Sequence, residues 1–127
     1  MARLRSKPTN AELEILRVLW ARGPSTVREV ARALGREDTY TTVLKLLQNM
    51  TEKRLVVRDE SARTHVYAPA RRAEQTKRLL VADLIERVFD GSAAQLVMQA
   101  LQGADPSQAE LDEIGRLLAQ KKRGGRR

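Results

Sequence analysis

The chain has no cysteine and a single histidine, His65. Disulfides, thiolate nucleophiles and ordinary Cys/His zinc sites are thereby excluded, no cofactor is called for, and a cytoplasmic setting suits the composition. Aromatic residues are only 3% of the sequence, so a core must be built from Leu, Val, Ile and Ala, as in a helical fold. No apolar run approaches the ~20 residues of a membrane span, and no signal peptide is expected ahead of Arg3. No membrane partner is expected. Catalysis also lacks its parts. Carboxylates are scattered among Lys and Arg neighbours, the pattern of solvated helix faces, and nothing in the pattern gathers a nucleophile, a base and an orienting group in one pocket. An enzyme is not expected.

What is present is charge. At 127 residues, 42% hydrophobic and 31% charged, the chain suits one ordinary folded domain or two small ones. The net charge of +8 is unevenly spread. Residues 1–70 hold 13 Lys/Arg against 8 Asp/Glu, a balance of +5; residues 71–120 hold 6 against 8, or −2; "KKRGGRR" at 121–127 adds +5. A basic first part points to a polyanionic partner there.

"TNAELEILRVLWARGP" reads as a whole helix. Thr9 and Glu12 have capping-box spacing, Leu13, Leu16, Leu19 and Trp20 make the apolar stripe, and Gly23-Pro24 stops it. "STVREVARALG" is shorter, capped by Ser25 or Thr26, with Val27, Val30, Ala31 and Leu34 inward and Gly35 at its end. "RED" leads to a third helix, about 39–53, capped by Asp38 or Thr39. Val43, Leu46, Leu47 and Met50 share one side of it, while Thr41, Lys45, Gln48, Asn49 and Glu52 share the other. "LVVRD" and "RTHVYA" have strand composition and are separated by "ESA", giving a hairpin over about 55–68 whose arms carry Arg58, Arg63 and His65. Three helices followed by a hairpin is the order of a winged helix-turn-helix.

The third helix opens on Thr39, Tyr40, Thr41 and Thr42, all mediocre helix formers. A cap explains one of them. A recognition helix explains all four, because it enters the major groove N-terminus first and presents small hydrogen-bonding groups to bases and phosphates. Tyr40, Thr41, Thr42, Lys45, Gln48 and Asn49 on the helix, with Arg54, Arg58 and Arg63 beyond it, are therefore the expected DNA-binding residues.

From Arg71 the pattern is helical throughout. "RRAEQTKRLLVADLIERVFDG" carries Leu80, Leu84 and Val88 on one stripe, widened by Leu79, Val81, Ile85 and Phe89. "SAAQLVMQALQG" is begun by Ser92 and ended by Gly103, with Leu96 and Leu101 apolar. "DPSQAELDEIGRLLAQKK" opens with Asp105 as cap, Pro106 first in the helix and Gln108 at the reciprocal position; Leu111, Ile114, Leu117 and Leu118 form its apolar side. Some 50 residues without disulfide or metal seldom bury enough surface alone. Pairing with a second copy solves this, and the symmetric dimer would read a palindrome. The expected organisation is mostly α with a small β-hairpin wing: a winged-helix DNA-binding domain at 1–70, a helical dimerisation domain at 71–120 and a disordered basic tail at 121–127. The dimer is expected to close through Leu80, Leu84, Val88, Phe89, Leu96, Leu101, Leu111, Ile114 and Leu118.

"AELEILRVLW", "STVREVARAL", "YTTVLKLLQNMTEKRLV" and "RTHVYAP" together resemble the penicillinase-repressor family, the BlaI/MecI/CopY group; "FDG", "LVM" and "SQAELDEI" extend the resemblance more loosely to residue 120. It implies a homodimeric repressor on a dyad operator in double-stranded DNA, with Thr41, Thr42 and Lys45 on the recognition helix and Arg58 and Arg63 on the wing. Two departures stand out. The family's Lys-Gly-Leu after the recognition helix is Lys53-Arg54-Leu55 here, so Arg54 must adopt φ > 0 or the helix must end otherwise. The C-terminal cysteine cluster of the copper-responsive branch is missing, which excludes copper sensing by that chemistry. The resemblance also implies a sensor protease as partner. Alignment through "LVM" puts the bond cut in staphylococcal members at Gln99–Ala100, but Gln-Ala offers little to a pocket shaped for Phe, and cleavage there is not expected. The competing reading is a protein-interaction module or a nonspecific DNA-binding architectural winged helix, for which Thr41 and Lys45 would not matter to sequence choice.

Overall fold

The computed structural model describes residues 7–35 and 39–125. Within them the order is α1 (Asn10–Arg22), α2 (Val27–Ala33), α3 (Tyr40–Glu52), β1 (Val56–Asp59), β2 (Val66–Pro69), α4 (Ala73–Val88), α5 (Ala93–Gly103) and α6 (Gln108–Gly124). The chain divides into two compact units, Met1–Asp83 and Leu84–Arg127. The division falls inside α4, later than the expected boundary at residues 70–71. The first part of α4 packs with the N-terminal unit: Thr76 is buried, the Lys77 ammonium lies 5.7 Å from the Trp20 ring centre, and Lys7 pairs with Asp83 at 3.0 Å.

The core of the first unit is aliphatic apart from Tyr67. Ile15, Leu16 and Leu19 of α1, Val27, Val30 and Ala31 of α2, and Val43, Leu47 and Met50 of α3 close around Leu55, Val56 and Tyr67. The buried face of α1 is therefore Glu12, Ile15, Leu16 and Leu19, spaced i, i+3, i+4, i+7. The expected stripe was centred a little off: Leu13 and Trp20 are only partly buried. The reason is Glu12, a carboxylate on the core-facing side that apolar counting passes over.

Both expected caps of the first two helices form. Thr9 accepts from the Glu12 amide at 3.2 Å and Glu12 accepts from the Thr9 amide at 2.9 Å. Thr26, rather than Ser25, caps α2 in the same reciprocal way with Glu29. Ser25 is instead fully buried and exchanges two backbone bonds with Tyr67, at 2.9 and 2.8 Å. This rung ties the base of the hairpin to the start of α2.

The hairpin register pairs Val56 with Pro69 and Asp59 with Val66, leaving 60–65 as the turn rather than "ESA" alone. Arg63 and His65 accordingly sit in the wing tip, not on a strand. Asp59 starts the turn by accepting the Ser61 amide at 2.9 Å; the same Ser61 hydrogen bonds hold its carboxyl below the usual value.

In the second unit α5 is capped by Ser92, which accepts from Gln95. The opening of α6 corrects expectation: Ser107, not Asp105, is the cap, in a reciprocal box with Glu110. Ser107 and Glu110 satisfy two first-turn amides reciprocally, so Pro106 stands before the helix. The helix also continues to Gly124, so residues 121–124 are helical rather than a disordered tail. Lys121, Lys122 and Arg123 in its last turn oppose the negative end of the helix dipole. Residues 126 and 127 of that tail, and the "RED" link with Asp38, lie outside the described residues.

Candidate nucleic-acid interface

Packing of Val43, Leu47 and Met50 into the core turns the other side of α3 outward. Tyr40, Thr41, Thr42, Lys45, Gln48 and Asn49 are all exposed. Thr41, Lys45, Gln48, Asn49 and Glu52, which the spacing puts on the side opposite the core, are thus all solvent-exposed. Thr39 stands at the N-cap position, and its side chain makes no capping bond. Amides at a helix N-terminus favour phosphate.

The other end of α3 resolves the Arg54 question. Arg54 adopts φ 63°, its amide bonds the Thr51 carbonyl at 3.1 Å and the Leu55 amide bonds the Met50 carbonyl at 2.9 Å. This is a Schellman turn with arginine where glycine usually sits. Buried Leu55 and Met50 supply its hydrophobic contact. Arg54 is exposed, so the strained backbone displays a cation just past α3.

On the wing, Arg58 opposes Tyr67 across the ladder and pairs with Glu60 at 3.3 Å. The Tyr67 hydroxyl and then Glu60 raise its pKa above the usual arginine value. Glu60 also lies 3.7 Å from His65 Nε2. Arg58 is thus partly committed to the wing itself. Arg63 is exposed and makes no ion pair among the described residues.

A cleft of about 350 Å³ opens between the start of α2, the start of α3 and the wing, lined by Thr26, Arg28, Tyr40, Arg63, Thr64 and His65 among others. It joins Tyr40 and Arg63 of the expected residues and adds two that were not named as DNA contacts, Arg28 and His65. Arg28 is the more telling omission. Its guanidinium lies 5.4 Å from the centre of the Tyr40 ring, a cation–π distance. Its position in the first turn of α2, the helix before α3, was the available signal.

Of the expected dimerisation residues, Leu84, Val88, Leu101, Leu111 and Leu118 are exposed, and Leu80, Phe89, Leu96 and Ile114 half-buried. Gln99 and Ala100 are both exposed within α5. Among the described residues no helix is long and apolar enough to cross a membrane.

Residues 8–120 match the sequence profile described as "Penicillinase repressor". The chain belongs to that family. The "Transcriptional regulator BlaI" of Mycobacterium tuberculosis is 33% identical over 119 residues, covering 89% of this chain and 83% of that protein. The "Penicillinase repressor" of Bacillus licheniformis is 22% identical over 116 residues, covering 90% and 91%. Among solved structures the "transcriptional regulator Tm0710 from Thermotoga maritima" superposes with a TM-score of 0.51 at 19% identity, over 94% of this chain and 80% of that one; this likeness concerns the winged-helix fold. The penicillinase repressor family is one of transcription regulators, not of enzymes.

Proposed function

We propose that the chain is a cytoplasmic, homodimeric transcriptional repressor that binds a palindromic operator in double-stranded DNA. The carrying observation is the outward polar face of α3, Thr41, Lys45, Gln48 and Asn49, bounded at one end by Arg28 and Arg63 at the cleft and at the other by Arg54. Side chains of α3 read base edges, while the wing and the flanking arginines hold backbone phosphates. Dimerisation rests on the second unit: no described residue from 84 to 125 is buried, and an uncovered helical unit of that size has no stable core of its own. A second copy covers the apolar faces of α4, α5 and α6 and supplies the second recognition helix. The test is selection of duplexes by the full chain from a randomised pool, with sedimentation of the complex. Recovery of an inverted repeat bound by two copies is the expected outcome. Recovery of no preferred sequence, with tight binding to any duplex, would favour an architectural role instead.

A further inference from the structure

The geometry points to Glu12 and Lys53 as positioning residues that fix the angular setting of the recognition helix, an inference that rests on the proposed reading of α3. Lys53 caps the C-terminal end of α3. Its ammonium reaches across 41 residues of sequence to the Glu12 carboxylate, at 2.8 Å to Oε1 and 3.1 Å to Oε2. The Glu12 side chain is 2% exposed and that of Lys53 30%. Glu12 Oε1 also accepts the Thr9 amide, so one buried carboxylate closes the first turn of α1 and holds the last turn of α3.

Two features make this more than a stabilising contact. The remainder of the α3 seat is apolar: Val43, Leu47 and Met50 against the core. Apolar burial is non-directional and tolerates small rotations of a helix about its axis. A charge-assisted pair with two short bonds does not. Base-edge hydrogen bonds need donor and acceptor placed within about 0.5 Å, and Asn49 and Lys45 stand about one and two turns before Lys53 on the same helix. The second feature is charge. Beside Arg54, Lys53 resembles another phosphate contact, yet its ammonium is already matched by a buried carboxylate. Setting register is the best-attested use of such a pair.

The test uses the full chain and two probes, the duplex that the wild type selects from a randomised pool and a scrambled duplex of equal length. Lys53→Met, Glu12→Gln and the two combined are titrated on both probes over a range of salt, alongside thermal melting. Each single variant should bind the selected duplex about tenfold more weakly, the cost of one misplaced base contact. Scrambled-duplex affinity and the log–log salt slope should stay unchanged, and the combined variant should be no worse than either single one. Should the single variants fail to fold, Glu12→Met with Lys53→Met leaves no unpaired buried charge and should show the same loss of preference. Folded variants with wild-type preference would overturn the inference, reducing the pair to a stabilising contact. A slope lowered by about one unit, with equal losses on both probes, would overturn it by making Lys53 a phosphate contact. If the wild type selects no sequence at all, the operator reading fails first and this inference falls with it.

Discussion

The Arg28 guanidinium stands over the Tyr40 ring at 5.4 Å, joining the first turn of α2 to the first turn of the recognition helix at the mouth of a cleft that also holds Arg63. On the proposed mode of binding, a cation held there faces the DNA backbone between the groove entered by α3 and the groove reached by the wing. Arg28→Ala should therefore weaken binding to selected and scrambled duplexes alike and lower the log–log salt slope by about one unit, whereas Arg28→Lys should keep the slope. Titration over salt checks it; an unchanged slope for Arg28→Ala would remove Arg28 from the interface.

Arg54 occupies a left-handed position, φ 63°, where a side chain costs energy that glycine avoids. Arg54→Gly should raise stability by about 1 kcal/mol, read from the denaturant midpoint, and at the same time lower the salt slope on DNA. A stability gain with loss of DNA affinity would show that the strain is kept for the cation. Loss of stability would mean that the Arg54 side chain makes a compensating contact.

Glu29 and Glu110 close the reciprocal caps of α2 and α6. Backbone hydrogen bonding at Thr26 and at Ser107, respectively, lowers their pKa values from 4.5. A depressed folded value stabilises the folded state above the unfolded value and is lost as pH falls through the folded one. Glu29→Gln and Glu110→Gln should therefore flatten the acid limb of the stability curve below about pH 4.5 while leaving the neutral-to-basic limb unchanged in shape. Both carboxylates are solvent-exposed, so the effect should be small and should weaken further in salt. Thermal melting across pH 3–7 checks it; an unaltered acid limb in both variants would contradict it.

Leu118 on α6 is half exposed, and in the proposed dimer a second copy buries the rest of it. Leu118→Asp should shift the chain from dimer to monomer in sedimentation, because pairing would bury an unpartnered carboxylate. Operator binding should fall with it, since the second half-site is no longer linked to the first. A variant that still sediments as a dimer would place the interface elsewhere.

Much of the N-terminal unit was legible in the sequence because its signals are local. Thr9 with Glu12, Val43 with Leu47 and Met50, and the strand-like "LVVRD" each depend on neighbours within a turn or two. Long-range partnerships were not legible. Nothing near Glu12 announces Lys53, and Glu12 looks like a capping carboxylate only. The wing tip was misjudged because the Asp59–Ser61 turn and the Ser25–Tyr67 rung set the register from outside the strands. The start of α6 was misjudged between two caps, Asp105 and Ser107, two residues apart. The Ser107–Glu110 box is the one that forms. Arg28 was passed over because its partner ring lies on the next helix.

The central claim is that α3 reads sequence through Thr41 and Lys45. The most direct measurement compares wild type with Lys45→Ala and Thr41→Ala on the selected palindrome and on scrambled duplex at one salt concentration. Each variant should lose about 1–3 kcal/mol on the palindrome and much less on the scrambled duplex. Equal losses on both duplexes would mean that these side chains touch only phosphates and that sequence is read elsewhere.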